Sequence, residues 1–220
     1  MAQQLRLRLQ RPSRPTREEF VAGASNAEAL AALDAWPSWP GGSLVLVGPE
    51  GVGKTHLAKA WAEQAGAAVL SRDAPDLDAA AGGPTLLEDV DQGAPDEALF
   101  HLINLANRNG RGLLMTARTR PAGWPAQLPD LRSRLNALFV AEIGPPDDVV
   151  LEGVLRRFFR ERSIRPPPEV LPYLLNRMPR SIPRAREVVQ RIDEAADGAI
   201  SRLVARSILE EESQNLDLFE

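Results

Sequence analysis

The chain has 220 residues, with 26 Lys and Arg against 30 Asp and Glu, a formal net charge of -4, and 44% hydrophobic residues. This length suits one large domain or a domain with a small satellite, and the acidic balance disfavours a protein whose whole surface binds DNA. The absence of cysteine excludes disulfides and thiolate metal sites. Because no signal peptide or membrane-length apolar run is visible, we expect a cytoplasmic protein with no membrane contact.

The first fifteen residues hold a short alternating segment and then a linker rich in proline and arginine. In an extended chain Leu5, Leu7 and Leu9 point to one side, and Gln4 precedes them. Two interpretations fit this apolar edge. It is either a first strand that pairs within its own sheet or a peptide that binds a partner protein.

Helices and strands alternate in the next part of the chain. A helix is predicted over 27–36, with Ser25 or Asn26 as its N-cap. Helical patterns also follow the first strand, up to residue 66, and cover 97–107. This alternation predicts an α/β fold with a parallel sheet covered by helices on both faces. The five predicted strands are 44–47, 68–70, 85–90, 112–116 and 138–143.

A Gly-Pro-Pro turn at 144–146 marks the change to an all-helical region, because proline stops regular structure there. The predicted helices of this region are 147–162, 168–177, 182–197 and 201–212. We expect a small bundle packed on the α/β part as a lid. The predicted division is a terminal peptide and linker, an α/β subdomain, a helical lid and a tail, at 1–15, 16–145, 146–212 and 213–220.

Residues 48–55, GPEGVGKT, fit the pattern G-x-x-x-x-G-K-[ST] between a predicted strand and a predicted helix. Gly51 and Gly53 let the backbone turn so that its N–H groups face phosphate oxygens at a helix N-terminus. Lys54 would reach the β- and γ-phosphates, and Thr55 would bind Mg²⁺. The predicted nucleotide contacts from this segment are Gly48, Gly51, Val52, Gly53, Lys54, Thr55 and His56.

Two acids follow the third predicted strand, in the segment TLLEDVD. Glu88 and Asp89 lie at the strand end, where carboxylates position Mg²⁺ and the attacking water of a nucleotide hydrolase. We therefore predict a metal site formed by Thr55 and Glu88. The simpler alternative is an acidic strand end that meets solvent.

The order of the remaining motifs resembles a known family. LLMTARTRP (113–121) puts Thr116 at a strand end, and LPDLRSRL (128–135) and SIPRAR (181–186) follow. With FVAGASN (20–26), this order resembles the AAA+ ATPases with a P-loop core and a small all-α lid, and within them the DnaA initiator clade. The resemblance covers residues 16–200.

The resemblance implies roles for individual residues. Phe20, Val21 and Asn26 would contact the adenine side of ADP or ATP, and Thr116 would be the sensor 1 group. Arg134 would be an arginine finger supplied to a neighbouring protein, and Arg184 would be the sensor 2 arginine of the lid.

The chain also departs from the initiators. Glu88 stands where they usually have aspartate, and the extra methylene moves the carboxylate by ~1.5 Å, so we expect weak hydrolysis by this protein itself. Segment 71–84 is too short for the extra helical element with which initiators grip single-stranded DNA. We also expect no helix-turn-helix domain after the lid.

A Q-L-x-L-x-L peptide before such a core resembles the DnaA-related regulatory inactivators Hda and HdaA. The resemblance implies that Gln4, Leu5, Leu7 and Leu9 bind the DNA polymerase sliding clamp, that the protein stimulates ATP hydrolysis by DnaA, and that it meets DNA only through the clamp. Self-association is a further possibility. The alternatives are a helicase-loader-like binding module and a self-sufficient ATPase. The tail segment QNLDLF (214–219) also resembles a clamp peptide, with its glutamine one residue too far from the apolar residues.

Overall fold

The computed structural model describes residues 16–195 and 200–216. Its centre is a five-stranded sheet in the order β2-β3-β4-β1-β5, and all four neighbouring pairs are parallel. The predicted parallel α/β sheet is therefore confirmed. The strands are β1 (Ser43–Val47), β2 (Ala68–Leu70), β3 (Thr85–Leu87), β4 (Leu113–Ala117) and β5 (Phe139–Glu142).

Helices cover both faces of this sheet. Every residue of β1 is buried, which is typical of a central parallel strand between two helical layers. Leu44 and Leu46 pack on the side of Trp61, while Val45 and Val47 pack on the side of Leu102. The helices of this part are α1 (Ala27–Asp34), α2 (Lys54–Ala65), α3 (Leu77–Gly82), α4 (Asp96–Asn109) and α5 (Pro129–Asn136).

The lid has its own apolar core, in which Phe158 and Phe159 are almost fully buried. Its helices are α6 (Asp148–Glu161), α7 (Val170–Leu175), α8 (Ile182–Ala195) and α9 (Arg202–Leu216). Asp147 ties the lid to the α/β part, because its carboxylate accepts from the Val150 N–H at the start of α6 and from the Ser25 N–H, both at 2.9 Å. The lid is thus anchored beside the sheet.

Two local predictions differ from the structure, and a third, the N-cap of α1, is confirmed in position but not in its hydrogen bonds. The third strand ends at Leu87 and not at residue 90, because Asp89 adopts φ +52° and its N–H donates to Thr116 Oγ1 at 2.9 Å. Asn26 occupies the N-cap position of α1, but its side chain bonds the backbone of Val21 and Gly23 instead of the helix. The last helix continues to Leu216, so the predicted tail begins inside it.

Within the described ranges, no helix is both long and apolar enough to cross a membrane.

Candidate functional site

A glycine-rich loop joins β1 to α2 at the carboxyl edge of the sheet. Gly51 has φ +76° and Gly53, the N-cap of α2, has φ +104°, a left-handed region that favours glycine. A Cβ on Gly53 would also lie 2.8 Å from the Phe20 ring. Conformation and close packing therefore both require glycine, and the loop leads into the helix N-terminus where backbone N–H groups attract anions.

Lys54 is the first residue of α2 and is only 7% exposed. Its Nζ donates to the Gly48 carbonyl at 2.7 Å and to the Pro49 carbonyl at 2.8 Å. Burial lowers the pKa of the Lys54 ammonium, and the nearby Asp89 carboxylate acts in the opposite direction. The loop thus wraps around a buried cation, an arrangement suited to phosphate.

A cleft of about 520 Å³ separates this loop from α8 of the lid. This volume is in the range of small-molecule and cofactor sites. Its floor includes Gly51, Gly53, Lys54, Thr55 and Asp89, which the sequence predicted as nucleotide-binding or catalytic residues. The lid side is formed by α8. Four of its lining residues are three or four positions apart and share one face of the helix, and the fifth is Ile182 at its first position: Ile182, Pro183, Arg186, Glu187 and Gln190.

The two predicted acids have different surroundings. Asp89 lines the cleft, whereas Glu88 Oε2 lies 3.4 Å from the ammonium of Lys59 on α2. Glu88 Oε1 is buried and has no hydrogen-bond partner among the described residues. An orphaned carboxylate oxygen fits a role near Mg²⁺, directly or through a bound water.

The described residues include no group of three or more His, Cys, Asp or Glu that could hold a metal ion. Mg²⁺ commonly binds through one or two protein oxygens together with phosphate oxygens and water. Thr55 and these acids fit that arrangement, in which the metal would neutralise phosphate charge.

Thr116 is fully buried, and its hydroxyl accepts the Asp89 N–H. Asp91 bonds the segment after β4, because its Oδ2 accepts from the Arg118 N–H at 2.9 Å and from the Thr119 N–H at 3.0 Å. The segments after β3 and β4 are therefore hydrogen-bonded to each other beside the cleft.

The segment before α1 lies between the loop and the lid. The Phe20 ring packs on Gly53, 5.7 Å from the His56 ring, and Val21 packs against the lid helix at Gly153. The amide of Asn26, which is 1% exposed, holds this segment through its bonds to Val21 and Gly23. Asn26 therefore shapes the segment from within, while His56 Nε2 donates to the Thr16 carbonyl at 2.9 Å.

Comparison with known proteins agrees with this geometry. Residues 44–121 match the ATPase family associated with various cellular activities (AAA). The chain is 28% identical over 235 residues to the chromosomal replication initiator protein DnaA of Cutibacterium acnes, covering 93% of this chain and 45% of that protein. The chain thus spans about half the length of the curated relatives it matches.

Solved structures show the same fold. Domain III of Thermotoga maritima DnaA superposes with a TM-score of 0.72 at 20% identity, covering 90% of this chain and 97% of that one. AMPPCP-bound DnaA from Aquifex aeolicus gives 0.70 at 18% identity, with coverage of 94% and 72%. The chain therefore has the AAA+ P-loop fold seen in domain III of DnaA.

The two arginines that the sequence singled out lie at different places in this AAA+ domain. Arg134, on α5, stacks on the Phe100 ring of α4 with its guanidinium carbon 5.0 Å from the ring centre. Arg184, on α8, bonds Glu187 with Nη1 2.6 Å from Oε2. The arginine of α8 that lines the cleft is Arg186, which stacks on Phe158 at 4.4 Å.

Several cleft residues of the AAA+ domain were not predicted. Arg118 and Glu50 line the cleft and pair with each other at 3.0 Å. Arg118 comes directly after a strand, and the rule that polar residues at strand ends meet at one edge would have found it. The lid residues gave no such signal, because their role depends on how α8 packs. The predicted clamp-binding residues Gln4, Leu5, Leu7 and Leu9 lie outside the described residues.

Proposed function

We propose that this AAA+ protein binds ADP or ATP with Mg²⁺ in the cleft between the glycine-rich loop and the lid. The buried ammonium of Lys54 at the start of α2 supports this, because it would exchange the Gly48 and Pro49 carbonyls for phosphate oxygens. Phe20 and Val21 lie between the loop and the lid, where the adenine would be covered. Mg²⁺ would be held by Thr55 and the phosphates, with Glu88 and Asp89 nearby.

The proposed role of the bound protein is negative regulation of replication initiation, through stimulated ATP hydrolysis by DnaA. The observation that carries it is the position of Arg134, which stacks on Phe100 instead of lining its own cleft. A guanidinium in that place is available to a neighbouring protein, where it would stabilise charge on the transferring phosphoryl group.

One feature supports a regulator over a self-sufficient ATPase, and a second supports a regulator over an initiator. Glu88, the first acid after β3, has its Oε2 3.4 Å from the Lys59 ammonium, so its charge is partly neutralised and only Oε1 is left for metal or water. Segment 71–84 holds only α3, a helix of six residues, so the extra element expected of an initiator has little room. We therefore propose that hydrolysis by this protein itself is weak.

Docking on the sliding clamp through Gln4, Leu5, Leu7 and Leu9 completes the proposal. The clamp would hold the protein on DNA, so that no direct DNA contact is needed. This part rests on the sequence pattern, in which alternate leucines fill pockets and glutamine bonds at the rim.

A reconstituted hydrolysis assay tests the proposal. DnaA loaded with labelled ATP would be mixed with clamp-loaded DNA and the purified protein, and conversion to ADP followed over time. We expect faster conversion only when clamp and protein are both present. Rapid hydrolysis by the protein alone, or no effect on DnaA, would overturn the regulatory role.

A further inference from the structure

Arg118 and Glu50 form an ion pair at the mouth of the phosphate loop. Val47 of β1 pairs with Ala117 of β4, so the residues that follow these two strands leave the sheet side by side. Glu50 lies within the loop, and its Oε2 is 3.0 Å from Nη2 of Arg118. Both side chains line the cleft.

This ion pair contributes little to folding stability, because the two side chains are 49% and 74% exposed. Exposed pairs of this kind are worth between zero and about 1 kcal/mol. Its position is more informative. Glu50 puts a negative charge in the loop that must receive phosphate, and Arg118 offsets that charge.

The backbone of Arg118 is held firmly while its side chain remains accessible. Asp91 accepts from the N–H groups of Arg118 and Thr119, and Asp91 follows closely on Asp89. Arg118 also lies close enough to Lys54 to lower the pKa of its ammonium, after the larger effect of burial. The guanidinium therefore lies near the end of the site where Lys54 and the acids would meet the terminal phosphates.

We propose that Arg118 is a specificity residue for the nucleotide's terminal phosphate and that Glu50 competes with that phosphate for it. A γ-phosphate would take the guanidinium from the Glu50 carboxylate, because a phosphate offers more negative charge and a bidentate match to the planar fork. A diphosphate ends before this position and leaves the pair intact. The ratio of the affinities for triphosphate and diphosphate is thus set by the chain's own carboxylate. This inference rests on the proposed nucleotide site and specifies whether that site prefers a nucleoside triphosphate or a diphosphate.

The test is calorimetric titration of the full chain with ADP and with AMPPCP, a non-hydrolysable triphosphate. Arg118→Ala should weaken AMPPCP binding by about tenfold or more and ADP binding by less than about threefold. Glu50→Gln should shift the ratio the opposite way, by strengthening AMPPCP binding relative to ADP. Arg120→Ala is the matched control, because Arg120 is an exposed arginine of the same loop that pairs with Glu142. It should leave the ratio unchanged.

The outcomes separate this inference from the proposed function. If wild-type protein binds both nucleotides and Arg118→Ala weakens both equally or neither, the nucleotide site stands and the role of Arg118 is wrong. If Glu50→Gln lowers the preference for AMPPCP, the competition is wrong. If wild-type protein binds neither nucleotide, the proposed site itself fails and the inference falls with it. Thermal midpoints without nucleotide should agree among the variants, since the pair is exposed.

Discussion

Lys54 supplies the buried positive charge of the cleft. Its ammonium is buried, bonds two carbonyls of the loop that surrounds it, and has a pKa that burial lowers. A charge in such a place is costly unless it is compensated, and phosphate oxygens compensate it better than carbonyl dipoles do. Nucleotide binding should therefore depend on Lys54 more than on any exposed charge of the cleft.

Replacing Lys54 with alanine should abolish detectable binding of both ADP and ATP, because the central cation is lost. Nucleotide stabilises the folded state in proportion to its occupancy, so the rise of the thermal midpoint on adding nucleotide should disappear. Lys59→Ala is the matched control, since Lys59 lies on the same helix and is 48% exposed. It should keep the midpoint shift. A normal shift in the Lys54 variant would contradict the assignment of the loop.

The loop could be predicted from the sequence because its motif is local. Glycines, lysine and threonine at fixed spacing specify one turn, and the structure places Gly51, Gly53, Lys54 and Thr55 in the cleft. The pair of Arg118 with Glu50 and that of Glu88 with Lys59 join segments distant in sequence. Such contacts depend on strand order and helix packing, which composition and spacing do not specify.

The start of α6 connects the sheet to the lid. Asp147 caps α6 through Val150 and also accepts from the Ser25 N–H. These hydrogen bonds, with that to Val150 the strongest cause, lower the pKa of the Asp147 carboxyl from 3.8. Because the carboxylate is the stabilising form, its contribution is fully present above that unfolded value and is lost as pH falls through the folded pKa.

Asp147→Ala should destabilise the protein at neutral pH by about 1 kcal/mol or more, the usual cost of losing an N-cap, and lower the thermal midpoint by about 2–4 °C. The difference from wild type should shrink as pH falls below 3.8 and the native carboxylate protonates. Thermal unfolding across acidic pH measures both effects. Asp148→Ala, at the next and 68% exposed position, should change the midpoint little. Equal effects of the two variants would show that Asp147 does not stabilise the connection between the sheet and the lid.

The regular elements were largely predictable, and their ends were less so. Strand β2 matches the predicted 68–70, because a short apolar run between turns has few alternatives. Strand β3 is shorter than predicted because the apolar pattern continues through Val90, which is buried in a turn and not in the sheet. Hydrophobicity reports burial, and a buried turn gives the same signal as a strand.

In the proposed function the whole chain combines a nucleotide-binding cleft with two groups for binding partners. These are the N-terminal peptide, which lies outside the described residues, and Arg134, which is half-buried. Each of these two groups has a test that leaves the cleft intact. The peptide would bring the protein to the clamp, and Arg134 would act on DnaA.

Replacing Gln4, Leu5 and Leu7 together with alanine should abolish clamp binding while nucleotide affinity stays at the wild-type value. The reason is that alternate leucines supply the apolar contacts of such a peptide. Pulldown with purified clamp measures the first effect and calorimetric titration the second. Deleting residues 214–220 should retain clamp binding, and loss on that deletion alone would assign docking to the other end of the chain.

We propose that Arg134 acts on the nucleotide of a neighbouring DnaA. The most direct measurement is the rate of ATP hydrolysis on DnaA with clamp-loaded DNA, compared for wild type, Arg134→Ala and Arg132→Ala. Arg132 is the matched control, because it lies on the same helix and bonds the Ala126 carbonyl. We predict full stimulation by Arg132→Ala, and a rate near that of DnaA alone with Arg134→Ala, which should still bind nucleotide and clamp. Full stimulation by the Arg134→Ala protein would show that Arg134 does not act on the nucleotide of DnaA.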